Sequence, residues 1–295
     1  MLFIFIDGLG IGTRGSHNPL HLLGAEAEPL AAFEAGDANT IILDGVMIPT
    51  DATLGVDGRP QSASGQTTIL TGLNVPRLLG LHKHGFPNTA MRELLNGHSI
   101  FKQLTTLGVA PIIFANAYPP KFFTTRPRWL AATTVAVNAA GLSFRTLDDV
   151  RAGNALYHDW SNEVLIEAGE NVAPLNAEQA ADVLVRLSQT SRFTLYEYFL
   201  TDRAGHAQDI LQATTLIRKL ARFVRRVVER IDLSRTTVII TSDHGNVEDL
   251  STRTHTLNRV PTLAWGLHRD VVRRQVRTLA DITPAIIEIL TRPAA

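Results

Sequence analysis

The sequence contains no cysteine, and its 28 basic and 28 acidic side chains give a formal net charge of +0 over 295 residues. The absence of cysteine excludes disulfide bonds and thiolate metal ligands. The balanced charge gives no general attraction to nucleic acid or to an anionic membrane, although local patches remain open. We therefore expect neither a disulfide-stabilised module nor a nucleic-acid-binding protein.

Long hydrophobic runs are also missing. The first segment, MLFIFIDGLG, is apolar only as far as Asp7, with no basic region before it and no small-residue cleavage site after it, so it is not expected to be a signal peptide. No stretch approaches the ~20 apolar residues that a transmembrane helix needs. The sequence therefore predicts a cytoplasmic protein without a membrane partner.

What is present is an alternation of short apolar runs with longer helical patterns, which is typical of an α/β fold with a mostly parallel central sheet flanked by helices. The chain is long enough for one large domain, or for a core with a smaller attachment. The predicted strands are Leu2–Ile6, Pro111–Ala115, Phe193–Leu200, Thr236–Thr241 and Val260–Ala264.

Two other features organise the chain. Apolar residues recur at helical spacing from Ile210 to Ile231 and predict an amphipathic crossover helix, whose basic face we interpret as a solvated surface. Residues 118–170 open with Pro and Arg clusters and have weak strand patterns, so they are predicted to form a small inserted cap. Residues 1–117 and 171–295 would then form the core.

Acidic and imidazole side chains follow the predicted strands, where a parallel sheet displays its active site. This set comprises Asp7, Asp202, His206, Asp243, His244 and, eleven residues beyond His244, His255. Asp202 and His206 have the i, i+4 spacing that places two side chains on one side of a helix. Three carboxylates and three imidazoles without a thiolate suit two divalent metal ions of mixed nitrogen and oxygen coordination.

A hydroxyl-rich segment, PQSASGQTTILTG, opens another predicted helix. Its N-terminal amides offer a place for a phosphate group, because the positive end of a helix favours an anion. The alternative is an ordinary serine N-cap, and the local sequence alone favours that alternative.

Together these motifs resemble the alkaline phosphatase superfamily of metalloenzymes, in the branch of cofactor-independent phosphoglycerate mutase and phosphopentomutase. The residues that carry the resemblance are DGLG with the following HNP, TDRAGH, TSDHGNVED, and THT with Asn258, Val260 and Pro261. The resemblance implies an alkaline phosphatase-like core and two divalent ions, zinc or manganese rather than magnesium. One ion would be bound by Asp202, His206 and His255, and the other by Asp7, Asp243, His244 and the nucleophile.

The same resemblance implies Ser62 as the nucleophile, since it stands three residues before Gly65 and ten before Gly72. Ser64 is the second choice. Gln66 departs from the family, which often has a histidine at this position. The implied function is two-metal phosphoryl transfer on a small phosphate monoester through a phosphoserine. Hydrolysis is slightly favoured over a mutase reaction, because the predicted cap is small.

The middle of the chain does not match the substrate-binding cap of the mutases. Candidate substrate contacts are therefore assigned by position alone: His82 and His84 after the predicted nucleophile helix, and Arg126, Arg128, Arg145 and Arg151 in the predicted cap. A non-catalytic metal-binding protein is the alternative from another functional class. The natural substrate and the oligomeric state are left open.

Overall fold

Residues 1–34, 42–125 and 127–292 are described by the computed structural model. The strands are β1 (Leu2–Ile6), β2 (Val46–Thr50), β3 (Ile112–Phe114), β4 (Phe193–Tyr198), β5 (Thr237–Thr241) and β6 (Val260–Gly266). They form one sheet in the order β2-β6-β5-β1-β4-β3. Parallel pairs join β1 to β4 and β5, and β3 to β4, whereas β6 is antiparallel to both β5 and β2. The predicted α/β class with a mostly parallel sheet is confirmed.

Helices cover both faces of this sheet. Within the described ranges the α-helices are α1 (Pro19–Leu23), α2 (Ser62–Thr71), α3 (Val75–Leu79), α4 (Thr89–His98), α5 (Ile100–Thr106), α6 (Pro120–Thr125), α7 (Ala132–Ala139), α8 (Leu147–Arg151), α9 (Glu163–Glu167), α10 (Ala177–Gln189), α11 (Leu200–Ala207), α12 (Ile210–Arg230), α13 (Arg269–Gln275) and α14 (Ile282–Thr291). Short 3-10 helices cover Gly24–Ala27, Ile42–Asp44 and Leu279–Asp281. No helix of this set combines the length and the apolar character that crossing a bilayer requires.

The central strand β1 is buried on both faces, and its side chains divide the core in two. Phe3 and Phe5 pack with α2, α5, α7 and α14, while Leu2, Ile4 and Ile6 pack with α10 and α12. Alternation with a period of two explains this division, because successive side chains on a strand point to opposite faces. Strand β1, which ends just before Asp7, is therefore held by apolar packing on both faces.

Helix α12 has the predicted amphipathic pattern. Ile217, Leu220 and Val224 are fully buried, and Asp209 caps the N-terminus by accepting hydrogen bonds from the amides of Leu211 and Gln212. Its basic side chains pair on the surface with acidic ones. The pairs are Arg218 with Glu26, Lys219 with Glu163, Arg222 with Glu178, and Arg226 with Asp182.

Residues 118–170, predicted to form a cap, contain helices α6 to α9. Helix α7 packs into the same apolar cluster as Phe3 and Phe5, through Ala132, Val135 and Ala136. Helices α8 and α9 instead share a smaller cluster that includes Leu147 and Leu165. The boundaries 118 and 170 stay a prediction.

Candidate metal centre

The predicted ligands meet because three neighbouring strands end at one edge of the sheet. Asp7 follows β1, the Asp243–His244 pair follows β5, and Asp202 lies on α11 directly after β4. These strands are adjacent in the order β5-β1-β4. His255 precedes β6, and since β6 runs antiparallel, its beginning lies at the same edge. The reversal of β6 thus brings the last ligand to the site.

One group of ligands consists of Asp202, His206 and His255, whose ligand atoms all lie within 4.8 Å of one another. The Nε2 atoms of His206 and His255 lie 3.4 and 3.5 Å from the two oxygens of Asp202. His206 Nδ1 is 2.8 Å from the carbonyl oxygen of Arg253, and His255 Nδ1 is 2.8 Å from that of Pro60. Because a carbonyl only accepts, both Nδ1 atoms carry the hydrogen.

This tautomer leaves the Nε2 lone pairs of His206 and His255 directed into the group, with the two atoms 3.3 Å apart. Two acceptor atoms this close repel each other unless a cation or a proton lies between them. Backbone carbonyls that fix imidazole orientation through Nδ1 are the usual outer support of histidine ligands to a metal. The donor set therefore fits a divalent cation.

The second group lies around Asp7. Its Oδ1 is 3.2 Å from His244 Nε2, which is also 3.6 Å from Asp243 Oδ2 and 2.9 Å from Ser62 Oγ. Asp7, His244 and Asp202 hold ligand atoms within 4.8 Å of one another, so Asp202 adjoins both groups. The sequence prediction assigned Asp202 to one ion only.

The buried carboxylates of this group also favour a bound cation. Burial, followed by the negative charges of Asp202 and Glu197, raises the pKa of Asp7 well above its usual range. Burial and the Asp7 carboxylate likewise raise the pKa of Asp243. Asp7 Oδ1 is buried and accepts no hydrogen bond. Clustered buried carboxylates of this kind are stabilised in the ionised form by bound cations.

Asp202 behaves differently from its neighbours. Burial by itself raises its pKa, but the contact with His255 in its protonated form, the charge of His244 and the hydrogen bond from Asn246 outweigh burial and lower the pKa to about 2. Asp202 is therefore an anion at neutral pH. It lies where both groups can share its negative charge.

Gln66 occupies the position where the related family often has histidine. Its Nε2 donates to Asp7 Oδ2 at 3.1 Å and to Asp243 Oδ2 at 3.2 Å. The amide thus ties together the carboxylates that follow β1 and β5. Gln66 therefore contacts two of the candidate ligands directly.

The two candidate nucleophiles have different surroundings. Ser62 begins α2, is half-buried, and its hydroxyl contacts His244 in the ligand cluster. Ser64 is fully buried, and its hydroxyl accepts a hydrogen bond from the amide of Lys83 at 3.0 Å while contacting the carbonyl of Gln61. The geometry supports Ser62, because Ser64 is engaged by the backbone.

Glu248, a buried carboxylate that was not predicted as a site residue, stabilises the segments that carry the candidate ligands. Glu248 is 1% exposed and accepts hydrogen bonds from the amides of Gly10 and Asn246 and from the side chains of Thr256 and Asn258. It thereby joins the loop after β1, the loop after β5 and the segment before β6. Glu248 lies within the quoted motif TSDHGNVED, but its function depends on three segments that only the fold brings together.

Two more supporting groups were not predicted. Asn246 donates from Nδ2 to Asp202 Oδ1 at 2.7 Å and fixes that ligand. Glu197 lies on β4, where burial raises its pKa to about 7, and it accepts a hydrogen bond from Thr133 at 2.6 Å. An acidic residue inside the apolar run FTLYEYFL was the available signal for Glu197.

The predicted substrate contacts are not among the residues of the two ligand groups. His82 is half-buried with Nε2 3.2 Å from the Val56 carbonyl, His84 is exposed, and Arg128 is exposed beside Trp129. Arg145 and Arg151 pair with acidic residues of the predicted cap, Asp149 and Asp148 respectively. Arg126 lies outside the described residues. Their function as substrate contacts stays a prediction.

Comparison with protein families gives a match to the model of the Metalloenzyme superfamily over residues 155–294. This segment contains Asp202, His206, Asp243, His244 and His255. The predicted resemblance to the alkaline phosphatase superfamily is confirmed, and metalloenzyme relatives imply divalent metal ions.

Curated relatives also match part of the chain. The 2,3-bisphosphoglycerate-independent phosphoglycerate mutase of Ehrlichia canis (strain Jake) is 27% identical over 130 residues, which are 41% of this chain and 26% of that protein. The enzyme of the same name from Pseudomonas entomophila (strain L48) is 30% identical over 125 residues, or 39% of this chain and 24% of that protein. The chain thus spans about a quarter of the length of these relatives.

Solved structures share the fold over the whole length. PH0037 protein from Pyrococcus horikoshii has a TM-score of 0.56 at 15% identity, with 100% of this chain and 97% of that chain covered. A cold-active alkaline phosphatase from the psychrophile Shewanella sp. has a TM-score of 0.52 at 12% identity, with 99% and 100% covered. At these identities the likeness concerns the fold.

Proposed function

We propose that the chain is a two-metal phosphoryl-transfer enzyme that acts on a small phosphate monoester through a phosphoserine at Ser62. The observation that carries this proposal is the position of His244 Nε2, which lies 2.9 Å from the Ser62 hydroxyl and 3.2 Å from Asp7 Oδ1, beside the group of Asp202, His206 and His255. The match to the Metalloenzyme superfamily supports an enzymatic function. The position of Ser62 supports phosphoryl transfer as the reaction.

In this proposal Asp202, His206 and His255 hold one ion, and Asp7, Asp243, His244 and Ser62 hold the other. When bound, two divalent ions supply positive charge that lowers the pKa of a serine hydroxyl and offsets the charge of a transferring phosphoryl group. Mixed carboxylate and imidazole ligands suit zinc or manganese better than magnesium. The outer residues Gln66, Asn246 and Glu248 hold the ligands in place.

The chain itself positions the nucleophile. Ser62 is the first residue of α2, and the preceding Gln61 makes no side-chain hydrogen bond to the first-turn amides. The positive end of this ten-residue helix therefore faces the transferring phosphoryl group. Ser62 Oγ gives its proton to water and forms a bond to phosphorus as the ester oxygen leaves, and that oxygen takes a proton from water. The oxygen of water, or of a second hydroxyl, then attacks phosphorus and breaks the Oγ–P bond, and Oγ takes back a proton.

Hydrolysis is the favoured outcome of that second attack. His206 is 46% exposed in its side chain and Ser62 is half-buried, so water reaches the cluster. A mutase would have to exclude water while its substrate reorients. The mutase reaction is the second candidate, because curated relatives carry that name. A non-catalytic metal-binding protein would have no use for Ser62 in this position.

The test begins with protein purified without added metal. Elemental analysis is expected to find about two zinc or manganese ions per chain, as a two-metal site requires. Activity is then measured on 3-phosphoglycerate, ribose 1-phosphate and an aryl phosphate, with Ser62→Ala as the matched control. Release of inorganic phosphate that the control lacks supports the phosphatase. An isomerised substrate without phosphate release supports the mutase, and bound metal without turnover of any ester contradicts both.

A further inference from the structure

An exposed aromatic pair, Phe86 and Trp129, joins two segments, each of which is hydrogen-bonded a few residues away to a residue near the candidate metal centre. The rings are stacked with centroids 6.4 Å apart and planes inclined by 18°. Phe86 is 48% exposed and Trp129 is 51% exposed, so about half of the surface of each residue is open to solvent. The contact buries only part of each ring, and the open faces call for another partner.

The loop with Trp129 leads into α7, and the loop with Phe86 is hydrogen-bonded to the start of α2. Ser62 and Gln66 place the start of α2 beside the ligand cluster, and Thr133 in the first turn of α7 donates to Glu197, whose charge acts on Asp7. Trp129 comes three residues before α7. Trp129 is four residues from Thr133, so their Cα atoms lie at most about 15 Å apart.

The loop with Phe86 is anchored to the nucleophile helix as well. Lys83 donates its amide to Ser64 Oγ at 3.0 Å and accepts from the Ser64 amide at 3.1 Å. Three residues later comes Phe86, followed by Asn88, which caps α4. The loop thus runs from the start of α2 to the start of α4, with Phe86 between the two anchors.

A cation accompanies the pair. The guanidinium carbon of Arg128 lies 5.0 Å from the ring centroid of Trp129. Aromatic faces stack on planar rings, and an adjacent arginine attracts an anion. A phosphate ester whose leaving group is a planar ring combines both properties.

We propose that Phe86 and Trp129 form a stacking platform for a planar ring of the substrate, so that the enzyme prefers aryl or heteroaryl phosphate monoesters to aliphatic ones. This inference rests on the proposed phosphoryl transfer at Ser62. It names the substrate class of that site, with Arg128 beside the platform as the cation.

The kinetic test compares 2-naphthyl phosphate with glycerol 2-phosphate for the wild type, Phe86→Leu and Trp129→Leu. The ratio of their kcat/KM values cancels effects common to both esters. We expect each variant to lower this ratio by about 3- to 10-fold, mainly through KM for 2-naphthyl phosphate, as the loss of an aromatic stack predicts. Trp129→Phe keeps a ring and should retain most of the ratio. Leu211→Ala removes an exposed apolar side chain on α12, where Leu211 is 77% exposed, and should leave the ratio unchanged.

A binding test separates this inference from the proposed function. Of the three tryptophans, Trp129 is exposed while Trp160 and Trp265 are 3% and 0% exposed, so ring stacking should quench mainly Trp129 fluorescence. Phenylphosphonate, which is not hydrolysed, is expected to quench saturably, and methylphosphonate is not. Trp129→Phe should abolish the quenching. If the wild type turns over no ester, the proposed function fails, while phenylphosphonate quenching still supports the platform.

Three results would overturn the platform. The first is an unchanged ratio in both leucine variants, and the second is equal loss on the two esters. The third is concentration-dependent association of the wild type that Trp129→Leu abolishes, because the rings would then pack between two copies of the chain.

Discussion

Ser62 Oγ lies 2.9 Å from His244 Nε2, which joins the first residue of helix α2 to the loop after β5. The helix approaches this closely because residue 65 is glycine. A Cβ atom there would lie 3.0 Å from both the Cβ and the carbonyl oxygen of Asp243. A glycine three residues after Ser62 is therefore needed for α2 to pack against Asp243 and bring the Ser62 hydroxyl to His244.

Substitution of the two serines distinguishes the nucleophile from a structural hydroxyl. Ser62→Ala should lower ester turnover by at least 10³-fold, because the phosphoryl acceptor is removed, while melting temperature and metal content stay close to wild type. Ser64→Ala should retain turnover but lower the free energy of unfolding by about 1 kcal/mol, since the Lys83 amide loses its partner. Full activity in Ser62→Ala with loss in Ser64→Ala would move the nucleophile by two residues.

Chelation tests the clustered carboxylates. Removing divalent ions leaves Asp7 and Asp243 buried side by side, so the chelated protein should melt about 5 °C below the metal-loaded protein, a shift typical of ligand at ~100 times its Kd. In His255→Ala the metal-dependent shift should be smaller. Differential scanning calorimetry with matched metal content decides, and an equal shift in both proteins would remove His255 from the ligand set.

Gly205 is expected to accept no side chain. A Cβ atom at this position would lie 2.4 Å from Cγ of Asn246, the residue that holds Asp202. Gly205→Ala should weaken metal binding by about 10- to 100-fold, as displacement of an outer support does. Gly97 lies in α4 with no atom within 4 Å of an added Cβ. Gly97→Ala is therefore the control, and metal titration of the two variants should separate them.

Glu248→Gln tests the buried carboxylate that joins three loops. The amide offers one acceptor atom where the carboxylate offers two, so an –NH₂ group would face donors. We expect a loss of about 1–3 kcal/mol in the free energy of unfolding. Glu167→Gln, on the exposed surface of α9, should change it little. Urea unfolding measures both, and equal values would show that the four hydrogen bonds contribute nothing specific.

His158 predicts a pH dependence of stability. Burial, followed by the charge of Arg203, lowers its pKa to about 3, whereas an unfolded histidine titrates near about 6.5. The unfolded state therefore binds more protons between these values, and the contribution is fully present above pH 6.5 and is lost as pH falls toward 3.

The matched variants are His158→Phe and His98→Phe, since His98 is exposed. Between pH 6.5 and 5 the wild type should lose about 2 kcal/mol more stability than His158→Phe, measured by urea unfolding in chelator. His98→Phe should follow the wild type. A wild-type slope in His158→Phe would contradict the assignment.

Most strands were predictable because their burial pattern is local. Leu2–Ile6 was predicted with its observed bounds, and β4 and β5 differ from the prediction only at their ends. The strand Val46–Thr50 was missed, since Pro49 argues against a strand. It is tolerated because β2 lies at the edge of the sheet, where one side needs no pairing partner.

The sequence by itself determined the identities of the candidate ligands, because acidic and imidazole groups after apolar strands have few other uses. The tertiary structure decided which of them meet. The antiparallel course of β6 brings His255 to His206. Gln66, on α2, donates hydrogen bonds to the carboxylates of Asp7 and Asp243, which follow β1 and β5. Glu248 and Glu197 could not be assigned a function in advance, since Glu248 reaches the amide of Gly10 and Glu197 reaches Thr133, and both of these partners lie far away along the chain. Local patterns fix which groups are available, and long-range packing fixes their distances and charges.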